Sequence, residues 1–93
     1  MKRKQIIEKI RHILKQHGIK SAYFFGSFAR KERRYHDIDI AVEPPEGKFS
    51  LLDLVGIEEE ISRAVHKKVD LMTFHSISPF FKRYIDRDKV AII

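Results

Sequence analysis

The sequence predicts an α+β domain in which helices and strands alternate along the chain, in the order α-β-α-β-α-β-α-β. Segments with apolar residues at helical spacing are separated by short runs rich in β-branched and aromatic residues, and glycines and prolines stand between them. The composition, 43% apolar and 34% charged, is that of a globular protein. With 93 residues the chain can bury one compact core, so we expect a single domain over residues 1–93.

The N-terminal half is predicted to contain two helices and two strands. A helix over residues 3–17 ends at Gly18, because apolar residues recur on one face of it: Ile6, Ile7, Ile10, Ile13 and Leu14. Residues 19–25 form a strand, Gly26 and Ser27 interrupt it, and residues 28–33 form a short helix. Residues 35–42 form the second strand, with Ile38, Ile40 and Val42 on one face and Asp37, Asp39 and Ala41 on the other.

The C-terminal half begins with a predicted loop at residues 43–47, since two prolines and a glycine cannot continue a β-ladder. Ser50 and Asp53 form a variant of the capping box that opens a helix through Val65. Its apolar residues at helical spacing are Leu51, Leu54, Val55, Ile61, Ala64 and Val65, and its solvent face is expected to carry Glu58, Glu59 and Glu60.

Residues 68–74 form the third predicted strand, and Asp70 lies among its apolar residues. Ser78 and Pro79 are a good N-cap and first residue for a last helix. We expect its buried face to consist of Phe80, Phe81, Tyr84 and Ile85, with contact to a partner or a second copy of the chain as the alternative. Residues 89–93 form a short terminal strand.

Charge and composition narrow the class of protein. The net charge of +6 favours anionic partners such as nucleotides, nucleic acid or an acidic protein. Because the chain has no cysteine, disulfide frameworks and thiolate metal sites are excluded. Neither a long apolar run nor a signal-like segment is present, so we expect a cytoplasmic protein that does not bind a membrane. Nucleic-acid binding and a homo-oligomeric state are left open.

Three aspartates stand inside predicted strands, where carboxylates are unusual. Asp37 and Asp39 leave the same face of one strand about 7 Å apart along the chain. If the third strand lies beside the second, Asp70 joins them, and the cluster repels itself unless a cation is bound. Carboxylate oxygens without cysteine select Mg²⁺ or Mn²⁺. Two such ions about 3.5 to 4 Å apart can activate an attacking oxygen and stabilise a leaving pyrophosphate.

A second feature precedes these carboxylates in the chain. Gly26 and Ser27 stand where a strand gives way to a helix, and backbone N–H groups and a hydroxyl at such a turn can hold phosphate oxygens. The basic residues that follow, Arg30, Lys31, Arg33 and Arg34, could add positive charge toward a triphosphate, and the sequence does not say which of them reaches it. Taken alone, the pair could also be an ordinary turn with an N-cap serine.

Gly26-Ser27, then Asp37-Ile38-Asp39, then Val69-Asp70-Leu71 form a set that resembles the nucleotidyltransferase domain of the DNA polymerase β superfamily. The segment Gly26–Arg30 and the small size of the chain resemble the minimal nucleotidyltransferases, which are often partnered with HEPN-domain proteins. The resemblance implies a mixed β-sheet with helices packed on one face and the nucleotide bound as a metal complex at the other.

The resemblance also implies roles for the site residues. Asp37 and Asp39 would bind two Mg²⁺ ions, and Asp70 would be the third catalytic carboxylate, which helps to deprotonate the incoming hydroxyl. Gly26, Ser27 and Arg30 would bind the nucleotide, ATP or another NTP. The implied reaction is transfer of AMP from ATP to a tyrosine of a HEPN ribonuclease, with this chain as the antitoxin of the pair.

Two positions depart from the family pattern, and two other functions stay open. Lys31 stands where these proteins often have glycine, and His36 stands where serine or threonine commonly precedes the first aspartate. For Asp37 and Asp39 the alternative to metal binding is a pair of solvated acids on an edge strand. One alternative function is a non-catalytic antitoxin or binding module that keeps the fold and neutralises its partner by contact. The other is a nucleotidyltransferase that acts on a small molecule or on RNA.

Overall fold

The computed structural model describes residues 1–34 and 37–93, and it contains a four-stranded sheet of order β3-β2-β1-β4. Strand β1 is antiparallel to both β2 and β4, whereas β2 and β3 are parallel, so the sheet is mixed. The elements are α1 (Arg3–Gln16), β1 (Ala22–Phe25), α2 (Gly26–Ala29), β2 (Asp37–Val42), α3 (Leu51–Val65), β3 (Lys68–Thr73), α4 (Pro79–Asp88) and β4 (Val90–Ala91), with a 3₁₀ turn at Phe74–Ser76. The predicted element order and mixed sheet are confirmed.

One face of the sheet forms the hydrophobic core with α1 and α3. Phe24 on β1 lies directly opposite Ile40 on β2, and both side chains are fully buried. Helix α1 contributes its predicted stripe to this core, and α3 contributes Ile57, Ile61 and Val65. The opposite face of the sheet carries Asp37, Asp39 and Asp70. The buried residues that alternate with these aspartates therefore anchor the two strands on the core.

The helix ends follow the capping residues found in the sequence. Gly18 has a φ of +78°, and the N–H of Ile19 donates to the carbonyl of Leu14 at 3.0 Å, which closes the C-terminus of α1 in a Schellman turn. This turn delays the first strand, which begins at residue 22 and not at residue 19. Ser50 and Asp53 form the predicted capping box, and Ser78 caps α4 ahead of Pro79.

Two predicted apolar faces are wrong in part. In α4 only Ile85 is buried, whereas Phe80 is 88% exposed and Phe81 and Tyr84 are also exposed. In α3 the buried stripe includes Ile57. Val55 precedes Ile57 by two residues and therefore lies on the other side of the helix, and Leu51 is exposed as well.

Side chains of α3 cover the outer edge of β3. Oε2 of Glu58 accepts a hydrogen bond from the N–H of Leu71 at 2.8 Å, and Oγ of Ser62 accepts one from the N–H of Val69 at 3.2 Å. Glu58 was expected on the solvent face, but it is partly buried because it satisfies a backbone donor of the edge strand. None of the helices in the described ranges has the length and apolar character needed to span a bilayer.

Candidate active site

The three predicted carboxylates lie on the same face of the sheet, on the neighbouring strands β2 and β3. Asp37 and Asp39 are separated by one residue on β2, and the parallel pairing places Asp39 directly opposite Asp70 on β3. All three side chains are partly buried. The predicted start of β2, Tyr35 and His36, lies outside the described residues, so the position of His36 relative to Asp37 is not described.

The electrostatic state of Asp39 reflects this crowding. Burial is the largest cause that raises the pKa of the Asp39 carboxyl group, followed by the negative charges of Asp70 and Asp37 and a hydrogen bond to Asp70. The positive charge of Arg30 opposes the rise. Lys68 is a weak counter-ion for Asp37, since its Nζ lies 3.9 Å from Oδ2 and its side chain is largely exposed.

A divalent cation suits this donor set in kind. Three carboxylates without thiolate ligands favour hard cations such as Mg²⁺ or Mn²⁺, and a bound dication would relieve the repulsion that raises the pKa of Asp39. Across residues 1–34 and 37–93, no three His, Cys, Asp or Glu side chains lie in an arrangement that could hold a metal ion. Asp37, Asp39 and Asp70 therefore suit Mg²⁺ or Mn²⁺ by the chemistry of their ligand atoms, and not by a preformed arrangement around a metal ion.

Gly26 lies where β1 meets the carboxylates. Phe25 pairs with Asp39 across the sheet, and the next residue, Gly26, has a φ of +71°. A Cβ at Gly26 would lie 2.6 Å from Oδ2 of Asp39, so any side chain there would push that carboxylate aside. The glycine predicted to allow close approach of phosphate thus also makes room for the aspartate. Ser27 follows in the first turn of α2 and is partly buried.

Helix α2 begins and ends earlier than the predicted range of 28–33. It is fixed by Phe28, whose ring packs on Phe24 with centroids 4.8 Å apart and whose carbonyl accepts a hydrogen bond from Arg3 at 2.7 Å. It cannot continue because Lys31 has a φ of +60°, a left-handed conformation that favours glycine. Lys31 therefore departs from the family pattern at a position where the backbone itself favours glycine.

Among the predicted basic residues, Arg30 is the one whose charge acts on Asp39, although it is exposed like the others. It follows α2 directly, and Lys31, Arg33 and Arg34 lie farther along the same exposed loop. Nε of Arg30 donates to Oε2 of Glu32 at 2.8 Å, and Nη1 donates to Oδ2 of Asp88 at 3.3 Å. These two acids raise the pKa of Arg30, with the hydrogen bond to Glu32 as the largest cause.

A cleft of about 380 Å³ opens beside the carboxylates. Phe25, Gly26, Arg30 and Met72 line one side, and α4 lines the other with Phe81, Tyr84, Ile85 and Asp88. Sequence reasoning missed this cleft because it assigned the aromatic residues of α4 to the core. The available signal was the excess of aromatic residues on so short a helix, which the structure leaves at the cleft and in solvent.

Comparison with known proteins gives one consistent family. Residues 8–93 match the family model described as "Polymerase beta, Nucleotidyltransferase". A curated protein of Methanocaldococcus jannaschii named "Putative protein adenylyltransferase MJ0435" is 46% identical over 90 residues, which are 96% of each chain. A second protein of that organism, named "Putative protein adenylyltransferase MJ1217", is 40% identical over 92 residues, covering 96% of this chain and 93% of the relative.

Solved structures share the fold at lower identity. One described as "putative minimal nucleotidyltransferase" superposes with a TM-score of 0.80 at 24% identity, covering 97% of this chain and 95% of that one. Another is the complex of tri-AMPylated Shewanella oneidensis HEPN toxin with MNT antitoxin, with a TM-score of 0.78 at 20% identity, covering 99% of this chain and 72% of that one. A third structure, a toxin-antitoxin with AMP-PNP, has a TM-score of 0.79 at 22% identity, and the match covers 94% of this chain and 72% of that one.

Proposed function

Because the chain belongs to the Polymerase beta nucleotidyltransferase family, we propose that it transfers AMP from ATP to a hydroxyl group on a partner protein. The predicted family and the predicted enzyme class, a nucleotidyltransferase, are confirmed by the family match and by the curated relatives. The names of those relatives support adenylyl transfer to protein as the reaction of this chain.

The observation that carries the proposal is that three aspartates lie on one face of two neighbouring parallel strands, with Asp39 directly opposite Asp70. In the proposed site Asp37 and Asp39 would hold Mg²⁺, with Asp70 as the third carboxylate beside them. The cation, when bound, neutralises the phosphate charge and lowers the pKa of the attacking hydroxyl. Asp70 is proposed to help accept the proton of that hydroxyl, since it lies on the neighbouring strand at the same level as Asp39.

Nucleotide binding is assigned to the turn and the cleft beside it. Gly26 and Ser27 are proposed to bind phosphate oxygens, and Arg30 adds positive charge. The aromatic side of the cleft, formed by Phe81 and Tyr84, suits the nucleoside. In the reaction the acceptor oxygen bonds to the α-phosphorus, the bond from that phosphorus to the bridging oxygen breaks, and pyrophosphate leaves.

We propose a HEPN-domain protein as the acceptor, with the chain acting as its antitoxin. The support is the shared fold with the MNT antitoxin solved in complex with an AMPylated HEPN toxin. Asp37, Asp39 and Asp70 are only partly buried, so a hydroxyl from outside can approach them. A tyrosine hydroxyl of the partner is the proposed acceptor group.

The test uses ATP labelled in turn at the α- and the γ-phosphate, with Mg²⁺ and the protein encoded beside this chain. We expect the partner to acquire the α-label and not the γ-label. Nucleotidyl transfer attaches the α-phosphate of ATP to the acceptor, whereas phosphoryl transfer attaches the γ-phosphate. Asp39→Asn should abolish labelling. Asp86→Asn is the matched control, since Asp86 is an exposed acid that pairs only with Lys89 among the described contacts.

The same experiment distinguishes the alternatives. Inhibition of the partner that needs no ATP and survives Asp39→Asn would show a binding module and would overturn the enzymatic proposal. Labelling of RNA or of a small molecule, with no labelling of protein, would overturn the proposed acceptor and leave nucleotidyl transfer in place.

A further inference from the structure

Arg30 is held at the mouth of the cleft by acids from two different parts of the chain. Glu32 follows it by two residues in the same loop and accepts from Nε at 2.8 Å. Asp88, the last residue of α4, accepts from Nη1 at 3.3 Å and is 58 residues away in sequence. Glu32 belongs to the same loop as Arg30 and therefore cannot fix it relative to another element. Asp88 belongs to α4, so its contact fixes the guanidinium group relative to the far side of the cleft.

The properties of α4 alone do not explain an acid at position 88. A negative charge on the last residue of a helix opposes the helix dipole and is mildly destabilising there. The Asp88 side chain is nevertheless only 21% exposed and lines the cleft. Its other described ion pair, with Arg87, is long at 3.9 Å. The contact with Arg30 is therefore the favourable interaction that accounts for this residue.

The contact between Arg30 and Asp88 lies at the cleft in which the nucleotide is proposed to bind. Arg30 and Asp88 both line the cleft, and the hydrogen bond from Nη1 to Oδ2 at 3.3 Å joins the loop after α2 to the end of α4 there. An arginine side chain loses rotamer freedom when it is fixed on an anion. A guanidinium group that is already oriented has lost that freedom before the ligand arrives, so the ligand binds more tightly.

We propose that Asp88 is a positioning residue, which holds the guanidinium group of Arg30 in the orientation that binds the polyphosphate of the nucleotide. The inference rests on the proposed function, because it takes a nucleoside triphosphate as the ligand of the cleft. Asp88 itself does not touch the phosphates, which its negative charge would repel. It acts through Arg30 alone.

The test compares the dissociation constants of ATP and AMP at a fixed Mg²⁺ concentration, by isothermal titration calorimetry, for wild type and Asp88→Asn. Loss of a positioning contact should weaken ATP binding roughly five- to tenfold, and AMP binding less than about twofold, because AMP lacks the β- and γ-phosphates. Asp88→Glu should recover part of the ATP affinity. Asp86→Asn, an acid of the same helix that pairs with Lys89, should change neither constant.

A double-mutant cycle separates positioning from a general structural role. In an Arg30→Gln background, Asp88→Asn should have no further effect on ATP affinity, because the group through which it acts is gone. Equal weakening of ATP and AMP by Asp88→Asn would show that the substitution disturbs α4, and it would overturn the proposal. So would an unchanged ATP affinity in Asp88→Asn. A wild-type protein that binds neither nucleotide would overturn the proposed function and this inference together.

Discussion

The backbone of Gly26 lies so close to the carboxylate of Asp39 that a Cβ on the glycine would be 2.6 Å from Oδ2. This contact joins the phosphate-binding turn proposed after β1 to the carboxylates of β2. A side chain at Gly26 would displace the carboxylate of Asp39, so the conformation of the turn and the position of the aspartate depend on each other. The two motifs that stand 13 residues apart in the sequence, at positions 26 and 39, are thus one structural unit.

Gly26→Ala tests this unit. The substitution adds a Cβ against Asp39 and requires alanine at a φ of +71°, so the free energy of unfolding should fall by about 1 to 2 kcal/mol, and AMP transfer should be lost. The measurements are urea denaturation and the α-label assay. Gly56→Ala is the control: Gly56 lies inside α3 with nothing within 4 Å of an added Cβ, and alanine should stabilise the helix by about 0.5 to 1 kcal/mol. Equal effects of the two substitutions would contradict the prediction.

Asp39→Asn should make the protein more stable in the absence of divalent cations while it abolishes transfer. Asparagine removes a partly buried charge that Asp70 and Asp37 repel. Because the pKa of Asp39 is higher in the folded state than in the unfolded chain, the stability of wild type should fall as the pH rises through that raised pKa. Thermal denaturation in EDTA between pH 4 and pH 8 measures the difference, which should grow with pH and shrink when Mg²⁺ is added. A lower melting temperature for Asp39→Asn at pH 8 in EDTA would contradict it.

Lys31→Gly should stabilise the loop after α2. Lys31 has a φ of +60°, where glycine avoids a penalty of about 1 kcal/mol that other residues incur. The comparison variant is Lys31→Ala, which removes the same charge but keeps the unfavourable backbone conformation, so it should not gain that stability. Urea denaturation gives the free energies. If Lys31→Gly and Lys31→Ala change the ATP affinity equally while their stabilities differ, the change in affinity comes from loss of the lysine charge.

The sequence was sufficient for the order of the elements and for the face of β2 that carries Asp37 and Asp39, because these signals are local. The alternation of Ile38 and Ile40 with Asp37 and Asp39 determines which face of β2 is buried, and the capping residues determine where α3 and α4 begin. Asp70 could be placed beside Asp39 only on the condition that β3 pairs with β2. The structure meets that condition with a parallel register.

Features that depend on long-range contacts could not be predicted. The aromatic residues of α4 have the same spacing whether they face a core or solvent, so the sequence could not show that Phe80 is exposed or that Phe81 lines a cleft. The contact between Arg30 and Asp88 joins residues 58 positions apart and has no local pattern. The strained conformation of Lys31 has no signal in the lysine itself, which usually avoids it, and the hint was the glycine that the family often has at this position.

The hydrogen bond between Glu58 and the edge strand leads to the last prediction. Glu58→Ala removes the acceptor for the N–H of Leu71, and a partly buried donor left without a partner should cost about 1 to 2 kcal/mol. Glu58→Gln keeps an oxygen acceptor and should cost less. Glu59→Ala is the matched control, because Glu59 is exposed and its only described ion pair, with Arg63, is 4.0 Å long. Urea denaturation should rank the losses as Glu58→Ala, then Glu58→Gln, then Glu59→Ala. Since β3 also carries Asp70, amide hydrogen exchange at Leu71 should rise in Glu58→Ala, and unchanged exchange there would show that the edge does not depend on this side chain.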